Sequence, residues 1–111
     1  MQAAYTFKKD IYRKSRGNYS RLIDIYCRKC RNLVAIYQKD GPGDLRRLYL
    51  DRIYHPKNLM HIEEKNIKSL KNLTCTKCKE ILGTPGIYAK ENRKIFRLYQ
   101  DAVIKSIRRQ R

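Results

Sequence analysis

Four cysteines are the residues of this 111-residue chain best suited to chemistry, and they fall in two pairs, Cys27-Arg-Lys-Cys30 and Cys75-Thr-Lys-Cys78. Two residues between the cysteines of a pair let both thiolates face one tetrahedral ion at about 2.3 Å, and two pairs complete its coordination. The pattern C-x2-C, 44 residues, C-x2-C, with no further cysteine, predicts one structural Zn2+ held by Cys27, Cys30, Cys75 and Cys78. The rival readings are a thioredoxin-like redox pair and two half-sites completed by another molecule. Neither histidine, His55 or His61, is needed as a ligand once four sulfurs are in place.

Charge is the second feature with chemical meaning. Lys and Arg number 27 against 10 Asp and Glu, a net charge of +17. Residues 1–31 hold nine basic against two acidic side chains, residues 90–111 eight against two, and the middle ten against six. Such an excess repels itself in a small domain, and a polyanion relieves it; nucleic acid is the commonest one. The expected contacts are Lys8, Lys9, Arg13, Lys14 and Arg16 near the start and Lys105, Arg108, Arg109 and Arg111 near the end. Arg28, Lys29 and Arg31, with Lys77 and Lys79, either offset a doubly negative tetrathiolate or face phosphate. RNA or a ribonucleoprotein such as the ribosome is expected over duplex DNA, because no segment reads as a major-groove recognition helix. The alternative is a protein-interaction module with no nucleic-acid role, whose basic ends meet an acidic protein or simply solubilise it.

Other chemistry is poorly supported. No nucleophile with a nearby base, glycine-rich phosphate loop or paired carboxylates stands out, so no enzyme is expected. Asp51 and Asp101 occupy equivalent places after Arg47-Leu-Tyr and Arg97-Leu-Tyr, which predicts ion pairs with Arg47 and Arg97 rather than catalysis. Nine tyrosines, against two phenylalanines and no tryptophan, suit half-buried strand positions. Tyr5, Tyr12, Tyr19 and Tyr26 interleave with cations, a composition that can also stack bases. No apolar run is long enough to span a membrane, and the start lacks an apolar leader core, so a reducing, cytoplasmic setting is expected.

The elements that must position these residues repeat. Ile36-Tyr-Gln-Lys-Asp40 and Arg47-Leu-Tyr follow the first pair; Ile87-Tyr-Ala-Lys-Glu91 and Arg97-Leu-Tyr follow the second. The expected fold is therefore mainly β: two similar antiparallel units, residues 25–54 and 73–104, pinned by one zinc, in a single domain over 21–106. Residues 1–20 form a basic segment with a short helix over 3–14, its face built on Ala4, Phe7 and Ile11 and its end at Ser15 to Asn18. Strands are predicted over 21–26, 33–37, 45–54 and 94–106, with turns at Lys39 to Asp44, Gly83 to Gly86 and Glu91 to Arg93. Residues 57–73 read as a linker with a helical turn, and 107–111 as a basic tail.

The run Leu73-Thr-Cys75-Thr-Lys-Cys78-Lys-Glu-Ile-Leu-Gly83, with the following strand, resembles the C-terminal part of Yippee-type proteins. The plan over residues 22–106 is similar to the β-tent that family shares with cereblon's ligand-binding domain and the B-type methionine sulfoxide reductases. The matching positions are chiefly the four cysteines, Leu82 and Gly83. The resemblance implies two antiparallel sheets around structural zinc and implies no activity. The reductases need a cysteine beyond the zinc ligands, the ligand binders need a tryptophan cage, and this chain has neither. The basic ends lie outside that pattern, and a related duplicated zinc ribbon fits the shorter spacer.

Overall fold

The computed structural model describes residues 6–108. Among the described residues eight strands form: β1 (Ser20–Cys27), β2 (Leu33–Asp40), β3 (Arg47–Tyr49), β4 (Ile53–His55), β5 (Leu73–Thr74), β6 (Ile81–Tyr88), β7 (Arg93–Leu98) and β8 (Val103–Ile107). They make two antiparallel four-stranded sheets, ordered β4-β2-β1-β8 and β3-β7-β6-β5. The mainly β expectation therefore holds, with the one α-helix of the described residues, α1 (Ile11–Ser15), before the first strand.

The strands are apolar enough to be buried along runs rather than at every second residue: Leu22 and Ile23 on β1, Val34 to Gln38 on β2, and Ile95 and Phe96 on β7 are all buried. Ile23, Ile25 and Cys27 on β1 are buried, as are Ala35 and Tyr37 on β2 and Leu48 and Phe96 on the paired strands β3 and β7. Leu50 and Leu82, both fully buried, close the same core. Burying side chains of this size contributes about 1.5–3 kcal/mol each, so the interface between the sheets is the main apolar term.

The sheets are not divided between the two sequence repeats. Each predicted return strand is broken, and its two pieces enter different sheets. Leu45 to Tyr54 is interrupted by a 3-10 turn at Leu50–Arg52, so β3 joins the second sheet and β4 the first. The 94–106 segment breaks after Leu98, so β7 stays in the second sheet while β8 crosses to pair with β1. Both sheets thus draw on both halves of the chain, which ties the molecule together more tightly than two docked units would be.

Three further predictions need correction. Gly83 to Gly86 is strand rather than turn, paired from Gly83↔Leu98 to Gly86↔Ile95. Gly83 is required there because a Cβ would lie 2.6 Å from the Arg97 carbonyl oxygen. Pro85 is tolerated because β5 pairs only with Gly83 and Ile81, leaving the other side of β6 open at Pro85. The helix starts later than expected, at Ile11, where the Asp10 carboxylate accepts from the Tyr12 and Arg13 N–H groups. Ile11 is 72% exposed, so the apolar face predicted around it does not form, and Ala4 lies outside the described residues. The helix ends as expected, with Gly17 and Asn18 at positive φ. Residues 57–73 carry three 3-10 turns, Lys57–Leu59, Ile62–Glu64 and Ile67–Ser69.

Candidate metal centre and basic cleft

The two cysteine pairs sit in knuckles of one design. In the first, the Cys27 N–H donates to the Asn32 carbonyl at 2.9 Å and the Arg31 N–H to the Cys27 carbonyl at 2.8 Å. In the second, the Cys75 N–H donates to the Glu80 carbonyl and the Lys79 N–H to the Cys75 carbonyl, each at 2.9 Å. Arg31 and Lys79 both take positive φ, 65° and 68°, to close the turns. The knuckle repeat in the sequence is therefore a repeat in backbone geometry.

The four sulfurs lie within 4.8 Å of one another, forming a group that could hold a metal ion. Cys27 and Cys78 approach to 3.6 Å, Cys30 and Cys75 to 3.5 Å. A tetrahedral ion with sulfurs at about 2.3 Å sets sulfur edges of about 3.8 Å, so the donor set fits. Cys27 and Cys75 are fully buried, and the Asn32 side-chain amide bridges the knuckles toward Cys75 and Thr76. Burial pushes the Cys75 thiol up, but the N–H groups of Cys78 and Lys77 donate to it and bring it down to about 6. At Cys78 the Glu80 N–H favours the thiolate, yet burial and the neighbouring sulfurs prevail and push it up to about 11. One thiolate makes the next costly unless a cation lies between them.

The N-terminal segment folds back onto the domain through an arginine network that sequence reasoning missed. Arg52, 1% exposed, donates to Asp10 at 2.6 Å and Asp40 at 2.9 Å, and lies 3.4 Å from Asp51. Arg93 pairs with Asp51 at 2.8 Å and Glu91 at 3.4 Å, its guanidinium 4.1 Å from the Tyr12 ring centre and 3.8 Å from that of Tyr49. Arg16 bonds Glu91 at 2.7 Å and the Tyr49 hydroxyl at 3.0 Å. Asp51 thus pairs with Arg52 and Arg93 and not with Arg47, whose guanidinium lies 4.2 Å from the Tyr88 ring centre. Asp101 is an exposed turn residue at φ 60°, with no ion pair to Arg97 among the described residues.

The predicted nucleic-acid residues divide accordingly. Arg13 donates to Ser20 and Asn18, Arg16 belongs to the network, Arg108 pairs with Asp24 at 2.9 Å, and the Lys8 ammonium bonds the Asp51 carbonyl. These four serve the fold. Lys9, Lys14, Arg28, Arg31 and Lys105 are exposed, and Lys29 makes one exposed pair with Glu80 at 3.6 Å. Arg109, Arg111 and Tyr5 lie outside the described residues. One face of the Tyr12 ring is occupied by the Arg93 guanidinium.

An open cleft of about 980 Å³ gathers Arg28 from the first knuckle, Arg46 and Arg47 from the β3 edge, Arg97 from β7 and Lys105 from β8. Only Asp44 and Asp101 oppose these five cations, and the one ion pair among them, Arg46 to Asp44 at 4.0 Å, is exposed. Of these, Arg28 and Lys105 are expected from sequence; Arg46, Arg47 and Arg97 are not. For Arg47 and Arg97 the signal was the repeated Arg-Leu-Tyr, and the two stand opposite each other across β3 and β7; Arg46 had none. No family model matches the chain, and neither the curated proteins nor the solved structures offer a match.

Proposed function

We propose that the chain is a small, zinc-stabilised, basic protein that binds nucleic acid, RNA or a ribonucleoprotein such as the ribosome, through the cleft beside its first knuckle. The carrying observation is the cleft's composition, five basic side chains against two acidic ones. Internal pairing sharpens the imbalance, because Arg52 alone engages Asp10, Asp40 and Asp51. Asp10, Asp24, Asp40, Asp51 and Glu91 are engaged by arginines of the fold while most cations are exposed, and an extended polyanion is the ligand that offsets such a surface.

Zinc is the ion of choice, since four thiolates at tetrahedral spacing suit it above harder cations. The likeness to Yippee-type proteins supports the same architectural role for zinc through Cys27, Cys30, Cys75, Cys78, Leu82 and Gly83. The test is binding of the zinc-loaded protein to RNA across a salt series. A log–log slope of about 0.7 per phosphate contact, amounting to several contacts, with affinity retained near 0.15 M salt, is expected. Absence of binding at that salt would contradict the proposal.

A further inference from the structure

The antiparallel register sets Arg47 directly opposite Arg97 on one face of the second sheet. Like charges across a strand pair are destabilising, and Arg97 has no acidic partner among the described residues. β8 of the other sheet lines the same cleft through Ile104 and Lys105. Lys105 and Ile107 pair with Ile25 and Ile23, which point into the core, so both lie on the core-facing side of that strand. Both are nevertheless exposed, Ile107 at 58%, so the sheets stand open at this edge.

Lys105 also lines a second depression of about 490 Å³, with Tyr19, Arg21 and Lys39. Burial, then the nearby charges of Lys105 and Arg21, hold the Lys39 ammonium below the usual lysine range. The two depressions share Lys105, which sets their cations side by side at this edge; the track is the pair of them. Each contains a tyrosine with an accessible ring, Tyr99 at 51% exposed in the first and Tyr19 at 41% in the second. Leu45, Leu98 and Val103 add apolar lining beside Tyr99.

A duplex offers such a track its phosphates and, in RNA, its 2′-hydroxyls, but hides its base faces. Accessible tyrosines are useful to unstacked bases, and carboxylates among the cations repel phosphate but accept a hydrogen bond from a ribose 2′-hydroxyl. We propose that the track takes single-stranded RNA, with Arg97, Arg28 and Lys105 on phosphates, Tyr99 and Tyr19 each stacking a base, and Gln100 and Asp101 accepting from 2′-hydroxyls. This rests on the nucleic-acid reading of the same cleft.

The experiment measures the affinity of a 12-nucleotide RNA strand, its duplex, the DNA strand of the same sequence and heparin at about 0.15 M salt. Wild type is compared with Tyr99→Ala and Arg97→Gln, both surface changes, with circular dichroism as the check of folding. The single RNA strand is expected to bind more than about tenfold tighter than the duplex and several-fold tighter than DNA. Tyr99→Ala should weaken RNA binding roughly 5- to 150-fold, leaving the salt slope and heparin binding unchanged. Arg97→Gln should lower the slope by about 0.7. Equal affinity for duplex and single strand, or wild-type affinity in Tyr99→Ala, overturns the single-strand track while RNA binding stands. DNA bound as tightly as RNA overturns the role of Gln100 and Asp101. Failure of every nucleic acid to bind overturns the underlying reading as well.

Discussion

Arg52 carries a full charge at 1% exposure, and its neighbours explain how. Its removal would strand Asp40, whose side chain is only 5% exposed, without a counter-charge. Arg52→Met is therefore expected to lower stability by about 3–5 kcal/mol in urea unfolding, whereas Lys29→Ala, at an exposed pair, should cost less than about 1 kcal/mol. A loss below 1 kcal/mol for Arg52→Met would mean the network is dispensable. The same network sets the acid response. At Asp10 burial works against the carboxylate but the Arg52 and Arg13 contacts overcome it, and at Glu91 Arg16 does the same, so both sit below their ordinary values of 3.8 and 4.5. A depressed folded value stabilises above the ordinary one and is lost as pH falls through the folded one. The urea midpoint should hold above pH 5 and decline below about 4.5, and Asp10→Asn should flatten that decline; an unaltered curve in Asp10→Asn would contradict the assignment. None of this was legible in the sequence, because hydropathy assigns every arginine to the surface and only the fold brings Asp10, Asp40 and Asp51 around one of them. The cysteines were legible because their chemistry demands a local spacing that any fold must respect.

At the scale of elements, the positions of several strands could be read, though the middle of β6 reads as a turn, and their partners could not. β1 and β2 lie close to their predicted bounds because β-branched, aromatic and apolar residues flanking the knuckle, and the glycine-rich turn, mark them. The return strands misled, since Leu50–Arg52 keeps apolar spacing while turning the chain into the other sheet. Gly83 and Gly86 test the pairing of β6 with β7. Gly83→Ala puts a Cβ against the Arg97 carbonyl and should cost about 1–3 kcal/mol, while at Gly86 no atom lies within 4 Å and Gly86→Ala should change stability by less than about 0.5 kcal/mol. Equal effects at the two sites would mean that β6 does not pack on β7 as described.

For the molecule as a whole, the cation-rich cleft and the four-cysteine cluster draw on neighbouring elements of the same fold. The sequence located the excess charge at the two ends, yet Arg13, Arg16 and Arg108 serve the fold. The cation-rich cleft is instead assembled from the first knuckle, β3, β7 and β8, a juxtaposition created only when each half of the chain gives a strand to the other's sheet. That exchange is held at one point by the four sulfurs, which join β1 and β2 of one sheet to β5 and β6 of the other. The most direct test is therefore native mass spectrometry of the purified chain with circular dichroism before and after chelation. One zinc per chain is expected, with β structure lost as the ion is withdrawn and in Cys75→Ser. A metal-free chain that keeps its native spectrum would contradict the metal as the pin of the fold.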